Sequence, residues 1–156
     1  MQRVSSDSLS SRLPGYRHVA TLTSFVRLTE EMLCPVAIIL FGSLTKGTYY
    51  LHSDADICII LAQPEISWAE GYDRVAALDS EGVVQPMVYG RVPFPSMIRG
   101  ANSLALEVCH DGWMLGGEED YVQLLEEAFN QAEWRYGLQK TESGWLMRKG
   151  DSNHLE

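Results

Sequence analysis

No apolar run in this chain approaches the ~20 residues needed to cross a bilayer. The N-terminal stretch MQRVSSDSLSSRLPG is polar where a secretory signal requires an apolar centre. Both absences set a cytoplasmic location as the expectation. Cysteine is scarce: Cys34, Cys58 and Cys109 are odd in number, far apart and flanked by apolar residues. That pattern excludes a disulfide framework and matches no zinc-ligand spacing, so three buried, reduced thiols are expected. Basic residues are few, 12 Lys and Arg against 21 Asp and Glu, giving a net charge of −9 and a pI near 4.8. A surface of that sign argues against sequence-independent binding to nucleic acid. It remains compatible with a magnesium-bound nucleotide, whose metal offsets local repulsion, or with a basic protein partner. There is no G-x-S-x-G, hence no foothold for a hydrolase triad, and there are no internal repeats or linkers.

With 156 residues, 46% hydrophobic and 21% charged, the chain fits one domain that buries roughly 70% of its unfolded surface. The expected core spans about 16–115, with a helix and tail over 116–156. Residues 1 to about 13 are Ser-rich and expected to be loose. A helix is expected from about Tyr16 to Leu33, with Val19, Leu22, Val26 and Leu33 at helical spacing and Pro35 stopping it. Val36–Phe41 and Asp54–Leu61 are short Ile/Val-rich runs that read as buried strands. Between them, Gly42-Ser43 leads into a short turn or helix to about Gly47. Ser67 with Glu70 forms a capping-box pattern for a helix to about Ser80. Val83–Tyr89 reads as a third strand, in which Pro86 implies an edge position or an early bulge.

Beyond it come a Pro93/Pro95 loop with a helical turn at Ser96–Arg99, then a helix capped by Asn102 and running to about His110. Trp113–Leu115 is expected as a short edge strand. A long helix from Glu118 to about Tyr136 shows one apolar stripe: Val122, Leu125, Phe129, Ala132 and Tyr136. In the tail only Trp145-Leu146 offers an apolar anchor, and Leu155-Glu156 is set aside as a cloning remnant. Trp134, Tyr136 and Trp145 are expected to pack against the sheet. The order of elements defines an α/β (α+β) fold: a small mixed sheet of three to four strands flanked by helices, with a C-terminal helical extension.

Strand parity directs attention to two acids. Asp54, Asp56, Cys58 and Ile60 share one side of their strand, while Ala55, Ile57, Ile59 and Leu61 share the other. Two carboxylates at the mouth of a buried strand repel each other, and a hard divalent cation between them relieves that repulsion. Alone, D-x-D reads first as a turn residue followed by a solvated acid. Gly42 marks a sharp turn where a backbone can approach a phosphate, and amides opening a helix at Ser43 would present an anion site. The loop is not a Walker loop, since Thr48 stands where the lysine belongs. Lys46 reads as a phosphate contact or as a solvated turn lysine. His52, beside the aspartates, reads as a solvated loop residue, and His18, His110 and His154 form no cluster.

Together, Gly42-Ser43, ten intervening residues and Asp54-x-Asp56 resemble the minimal nucleotidyltransferases of the DNA polymerase beta superfamily. Gly47 and Ser53 also match that family's pattern. The resemblance is close over Val36–Leu61 and looser through Tyr89. It implies a nucleotidyltransferase-like fold in which Gly42 and Ser43, with Lys46 and Ser53 near them, hold the triphosphate of ATP or another nucleoside triphosphate. It implies that Asp54 and Asp56 bind magnesium, in an arrangement that can take two ions. The reaction implied is attack on the α-phosphate with release of pyrophosphate, transferring AMP to a hydroxyl. A HEPN-type protein partner in a toxin–antitoxin pair is an implied acceptor.

One departure stands out. The family places a third carboxylate on the strand that here reads VVQPMVY, where Gln85 occupies the expected position. Glutamine is neutral and cannot act as a base. A catalytically silent antitoxin or nucleotide sensor is therefore the competing reading. Transfer to a small molecule such as an aminoglycoside usually requires a further substrate domain. Acceptor, base preference and oligomeric state stay open.

Overall fold

The computed structural model describes residues 1–149; His154 and the Leu155-Glu156 pair lie outside that range. Fourteen elements follow one another: β1 (Gln2–Arg3), α1 (Leu9–Arg12), α2 (Val19–Leu33), β2 (Ala37–Phe41), α3 (Ser43–Lys46), β3 (Ala55–Leu61), α4 (Trp68–Ala76), β4 (Val84–Gly90), α5 (Pro93–Arg99), α6 (Ser103–Asp111), β5 (Trp113–Gly117), α7 (Glu119–Tyr136), β6 (Leu138–Thr141) and β7 (Gly144–Met147). A 3₁₀ turn at Ser6–Ser8 precedes α1. The main sheet has five strands in the order β1-β5-β2-β3-β4, and β6 and β7 form a separate hairpin. β2 runs antiparallel to both of its neighbours, whereas β3 and β4 are parallel.

Every residue of β2 is buried, which requires helices on both faces of the sheet. One face carries Ile38, Leu40, Ala55, Ile57, Ile59 and Leu61 against Leu22, Phe25 and Val26 of α2. The other carries Ile39, Phe41, Cys58 and Ile60 against Phe94, Ile98, Leu106, Leu125 and Ala128 of α5, α6 and α7. The alternation along β3 is therefore the one its sequence parity implies. Pro86 sits on the outer strand β4, where no further strand needs its missing amide. Ser67 Oγ accepts from Glu70 N at 3.2 Å, and Asn102 Oδ1 accepts from Ala105 N at 3.1 Å, so both caps act as their spacing implies.

Several expectations are corrected. The N-terminal residues are anchored: β1 pairs in parallel with β5, and Val4, Leu9 and Leu13 are buried in the α2-side core. Their apolar residues are too sparse among serines to show a period, yet each fills a core site. This strand makes the sheet five-stranded and moves β5 from the edge to an interior position. The first long helix begins at Val19 rather than near Tyr16, because Tyr16 turns inward to reach the loop before β3. Cys34 is exposed, unlike Cys58 and Cys109. It caps α2 in the left-handed conformation (φ 44°) and donates its amide to Glu30 O before Pro35 ends the helix.

The C-terminal extension is a helix followed by a hairpin. Gly137 (φ 58°) closes α7, and β6 and β7 then pair from Leu138↔Met147 to Thr141↔Gly144. Trp145 of that hairpin packs edge-on against His110 and Phe129, and Tyr136 is partly buried beside it. Trp134 does not join them: 78% of its surface is exposed. Among the described residues no helix is long and apolar enough to cross a membrane.

Anchoring of the N-terminal segment has a measurable consequence. Leu9 is fully buried, so Leu9→Ala should lower the unfolding free energy by about 2–4 kcal/mol in urea titrations. The same truncation at the half-exposed Leu146 should stay within about 0.5 kcal/mol. A loose segment would make the two variants alike.

Candidate functional site

The site forms where β2 ends and β3 begins. Phe41 and Asp56 are partners in the antiparallel register, so Asp56 stands beside Gly42, the next residue of the chain. Gly42 has φ 77° and ψ −146°, a conformation that side-chain-bearing residues avoid. A Cβ at this position would overlap the Asp56 carboxylate, which fills the space left by the missing side chain. Gly42 therefore permits both the turn and the approach of the acid. From it the chain enters the single turn α3, where Lys46 N and Thr45 Oγ1 both donate to Gly42 O at 3.2 Å. Gly47 (φ 74°) closes that turn.

Asp54 precedes β3 and is exposed, while Asp56 is partly buried. Burial raises the pKa of the Asp56 carboxyl, repulsion from Asp54 adds to the shift, and the Lys46 ammonium opposes it. Gln85 pairs with Asp56 across β3 and β4, and its Nε2 donates to Asp54 Oδ2 at 3.3 Å. The neutral residue at the third position thus belongs to the same cluster as the two acids.

The remaining sequence candidates have definite partners. Ser53 Oγ accepts from Tyr50 N at 2.8 Å, and Ser53 O accepts from Tyr16 Oη at 2.7 Å. Ser53 shapes the loop that delivers Asp54. Lys46 Nζ lies 3.0 Å from Glu107 Oε2 and 3.8 Å from Asp111 Oδ2. His52 is exposed; its Nε2 accepts from Arg17 Nη1 at 3.3 Å, and its ring lies 5.8 Å from that of His18.

Three participants escaped the reading of the sequence. Tyr16 holds the Ser53 carbonyl, and burial, followed by the charges of Asp54, Asp56 and Asp79, pushes its hydroxyl up to about 12. The other two are Glu107 and Asp111, one helical turn apart on α6. Their i, i+4 spacing places two acids on one helix face, with His110 Nδ1 lying 2.9 Å from Asp111 Oδ1. The thiols of Cys58 and Cys109 are both pushed up by burial, which keeps them protonated and inert.

The donor set can be tested against a metal. Two carboxylates on one side of a strand, one of them half-desolvated and repelled by its neighbour, suit a single hard cation completed by water and phosphate oxygens. Among the described residues no group of three or more His, Cys, Asp or Glu converges to hold an ion. A hollow of about 470 Å³ between α5 and α7 is lined by Arg99, Asn130, Gln131, Trp134 and Arg135. It contains none of the site residues.

A mixed sheet lies between helices, and a glycine bend at the end of β2 closes on Asp56, with Asp54 two residues before it. Residues 23–139 match the model of the nucleotidyltransferase domain family, and the chain belongs to that family. None of the curated proteins compared matches the chain. Among solved structures, a toxin–antitoxin crystallised with AMP-PNP is 21% identical with a TM-score of 0.45, the match covering 74% of this chain and 86% of that one. A Sulfolobus solfataricus protein assigned as a nucleotidyltransferase is 16% identical with a TM-score of 0.46, over 73% and 89% of the two chains.

The strain at Asp56 gives a pH-dependent outcome. Its native pKa lies above the unfolded carboxylate value of about 4, so between the two values the native state binds more protons and stability falls as pH rises. Without divalent ions, Asp56→Asn should therefore melt above the wild type at pH 7. Calorimetric melting points should show that gap closing as pH drops below the ordinary carboxylate range.

Proposed function

We propose that this protein is a magnesium-dependent nucleotidyltransferase that moves a nucleoside monophosphate, AMP from ATP, onto an acceptor hydroxyl. The observation that carries this reading is the closure of Gly42 on Asp56. It sets a bend suited to phosphate beside two acids that repel each other. Asp54 and Asp56 would hold the cation, and Gly42 and Ser43 would present backbone to the triphosphate, with Lys46 within reach of it. When bound, the ion supplies charge neutralisation to the phosphates. The acceptor oxygen bonds to the α-phosphorus, the bond to the bridging oxygen breaks, pyrophosphate departs with the electron pair, and the hydroxyl proton passes to solvent. Gln85 cannot take that proton. Rate enhancement rests mainly on orientation and electrostatic stabilisation.

For the acceptor, the net charge of −9 disfavours a large RNA and leaves a protein as the better candidate. A HEPN-type partner in a toxin–antitoxin pair is the form that the sequence resemblance supports, with a cytoplasmic location. A second reading has its own support in Gln85, whose amide donates to Asp54 in the position of the third acid. On that reading the protein binds magnesium-ATP without turning it over, as an antitoxin or a nucleotide sensor.

Incubation with α-labelled ATP, magnesium and the candidate acceptor should label the acceptor and release pyrophosphate. Asp54→Asn and Asp56→Asn should each lower the rate about 100-fold or more, as loss of a charge-stabilising group does elsewhere. Magnesium should raise the melting temperature of the wild type and leave that of Asp56→Asn unchanged. Nucleotide binding by calorimetry without pyrophosphate release, with the correct acceptor present, would select the second reading.

A further inference from the structure

Of the lysines Lys46, Lys140 and Lys149, two meet at one carboxylate. Glu107 on α6 accepts from Lys46 Nζ at 3.0 Å on one oxygen and from Lys140 Nζ on the other. Asp111, one turn further along α6, stands 3.8 Å from the same Lys46 ammonium. These contacts join three separate parts of the chain: the turn after the Gly-Ser bend, helix α6 and the C-terminal hairpin. Lys140 is fixed in turn by its position over the Trp145 ring, 5.2 Å from the centroid, and Trp145 packs on His110 and Phe129.

The energetics of the contact are one-sided. Burial works against ionisation of Glu107, yet the hydrogen bonds from Lys140 and Lys46 outweigh it and hold the carboxyl down at about 2. Hydrogen bonding to Glu107 raises the Lys46 ammonium above its ordinary value, against a smaller opposing effect of burial. Both partners are therefore charged at any working pH. The Lys46 charge also favours ionisation of Asp56. The ammonium is thus already engaged by Glu107 and Asp111, and a triphosphate arriving at the Gly-Ser bend competes with them for it.

We propose that Glu107 is a positioning residue that latches Lys46 to α6 while the site is empty, so that nucleotide binding must draw Lys46 away from Glu107 and Asp111. Lys140 shares Glu107, and the hairpin thereby sets how firmly the latch holds. This deepens the nucleotidyltransferase reading and rests on it. The latch adds a cost to binding triphosphate, so weakening it tightens the complex. The effect acts only through Lys46.

A double-mutant cycle tests that last point. Magnesium-ATP affinity is measured by calorimetry for the wild type, Glu107→Gln, Asp111→Asn, Lys46→Met and the two acid variants combined with Lys46→Met. Glu107→Gln should tighten binding about three- to tenfold, the range of a partly buried ion pair. Asp111→Asn, which leaves the link between Glu107 and Lys140 intact, should shift affinity in the same direction by less. Neither change should alter affinity once Lys46 is methionine. In the absence of nucleotide, the pKa of Lys46 followed by ¹⁵N NMR should fall in Glu107→Gln, which reads the latch without any activity. Tightening that persists with Lys46→Met would mean a general gain of positive potential and overturn the latch. So would unchanged affinity in Glu107→Gln, or an unchanged Lys46 pKa. These failures leave the nucleotide reading standing, whereas a wild type that binds no nucleotide overturns both.

Discussion

The closure of Gly42 over Asp56 is the constraint on which the rest of this site depends. Two requirements meet at one residue: a φ of 77° and an absent Cβ, whose space the Asp56 carboxylate takes. Neither would suffice alone. A left-handed turn with a side chain would push the acid away from the bend, and a side-chain-free residue in extended conformation would carry the chain past it. The antiparallel register of β2 and β3 puts Phe41 opposite Asp56, and only then does the next residue face the carboxylate. The core that enforces this register is apolar on both faces. A one-residue slip would carry Asp56 and Cys58 to the α2 side and Ile57 to the other, which the buried alternation forbids.

Around this closure the molecule uses hydrogen bonds from distant segments to hold a loop that has no regular structure of its own. Tyr16 donates to Ser53 O at 2.7 Å, Tyr49 donates to Pro14 O at 2.8 Å, and Arg17 N donates to Leu51 O at 3.0 Å. The residues between α1 and α2 and the residues between α3 and β3 thus brace each other. Burial of Leu9 and Leu13 anchors the first of these stretches, and the anchored stretch fixes the second, which delivers Asp54. Precision at the acid pair is obtained from the N-terminal segment, the part whose composition resembles a disordered arm.

What was legible in the sequence follows from the range of the interactions involved. Ser67 and Asn102 cap helices through contacts three residues away, and the parity of β3 is a property of consecutive residues. Local rules describe such features fully. The Gly-Ser and Asp-x-Asp pairs were legible because one hairpin-like crossing brings them together. The N-terminal strand was not, since its two residues, Gln2 and Arg3, pair with Trp113 and Met114, and no local pattern encodes a partner that far along the chain. The C-terminal hairpin was missed for a related reason. Gly137 and Gly144 punctuate a short stretch whose strands pair with each other, and its anchoring depends on Trp145 reaching His110 and Phe129. Glu107 stayed hidden because its two partners come from opposite ends of the fold.

The charges around Asp56 also bear on how the acid pair is accommodated in the fold. Asp54 and Asp56 repel each other, and Asp56 is partly desolvated as well. A third carboxylate at position 85, in register with Asp56, would add a second repulsion to the same cluster. Glutamine reverses the sign of that contribution, because its amide donates to Asp54. The Lys46 ammonium, itself held by Glu107 and Asp111, adds further relief. The acid pair is therefore stabilised by a neutral donor and a shared ammonium. A three-acid site would have to obtain that stabilisation from bound metal.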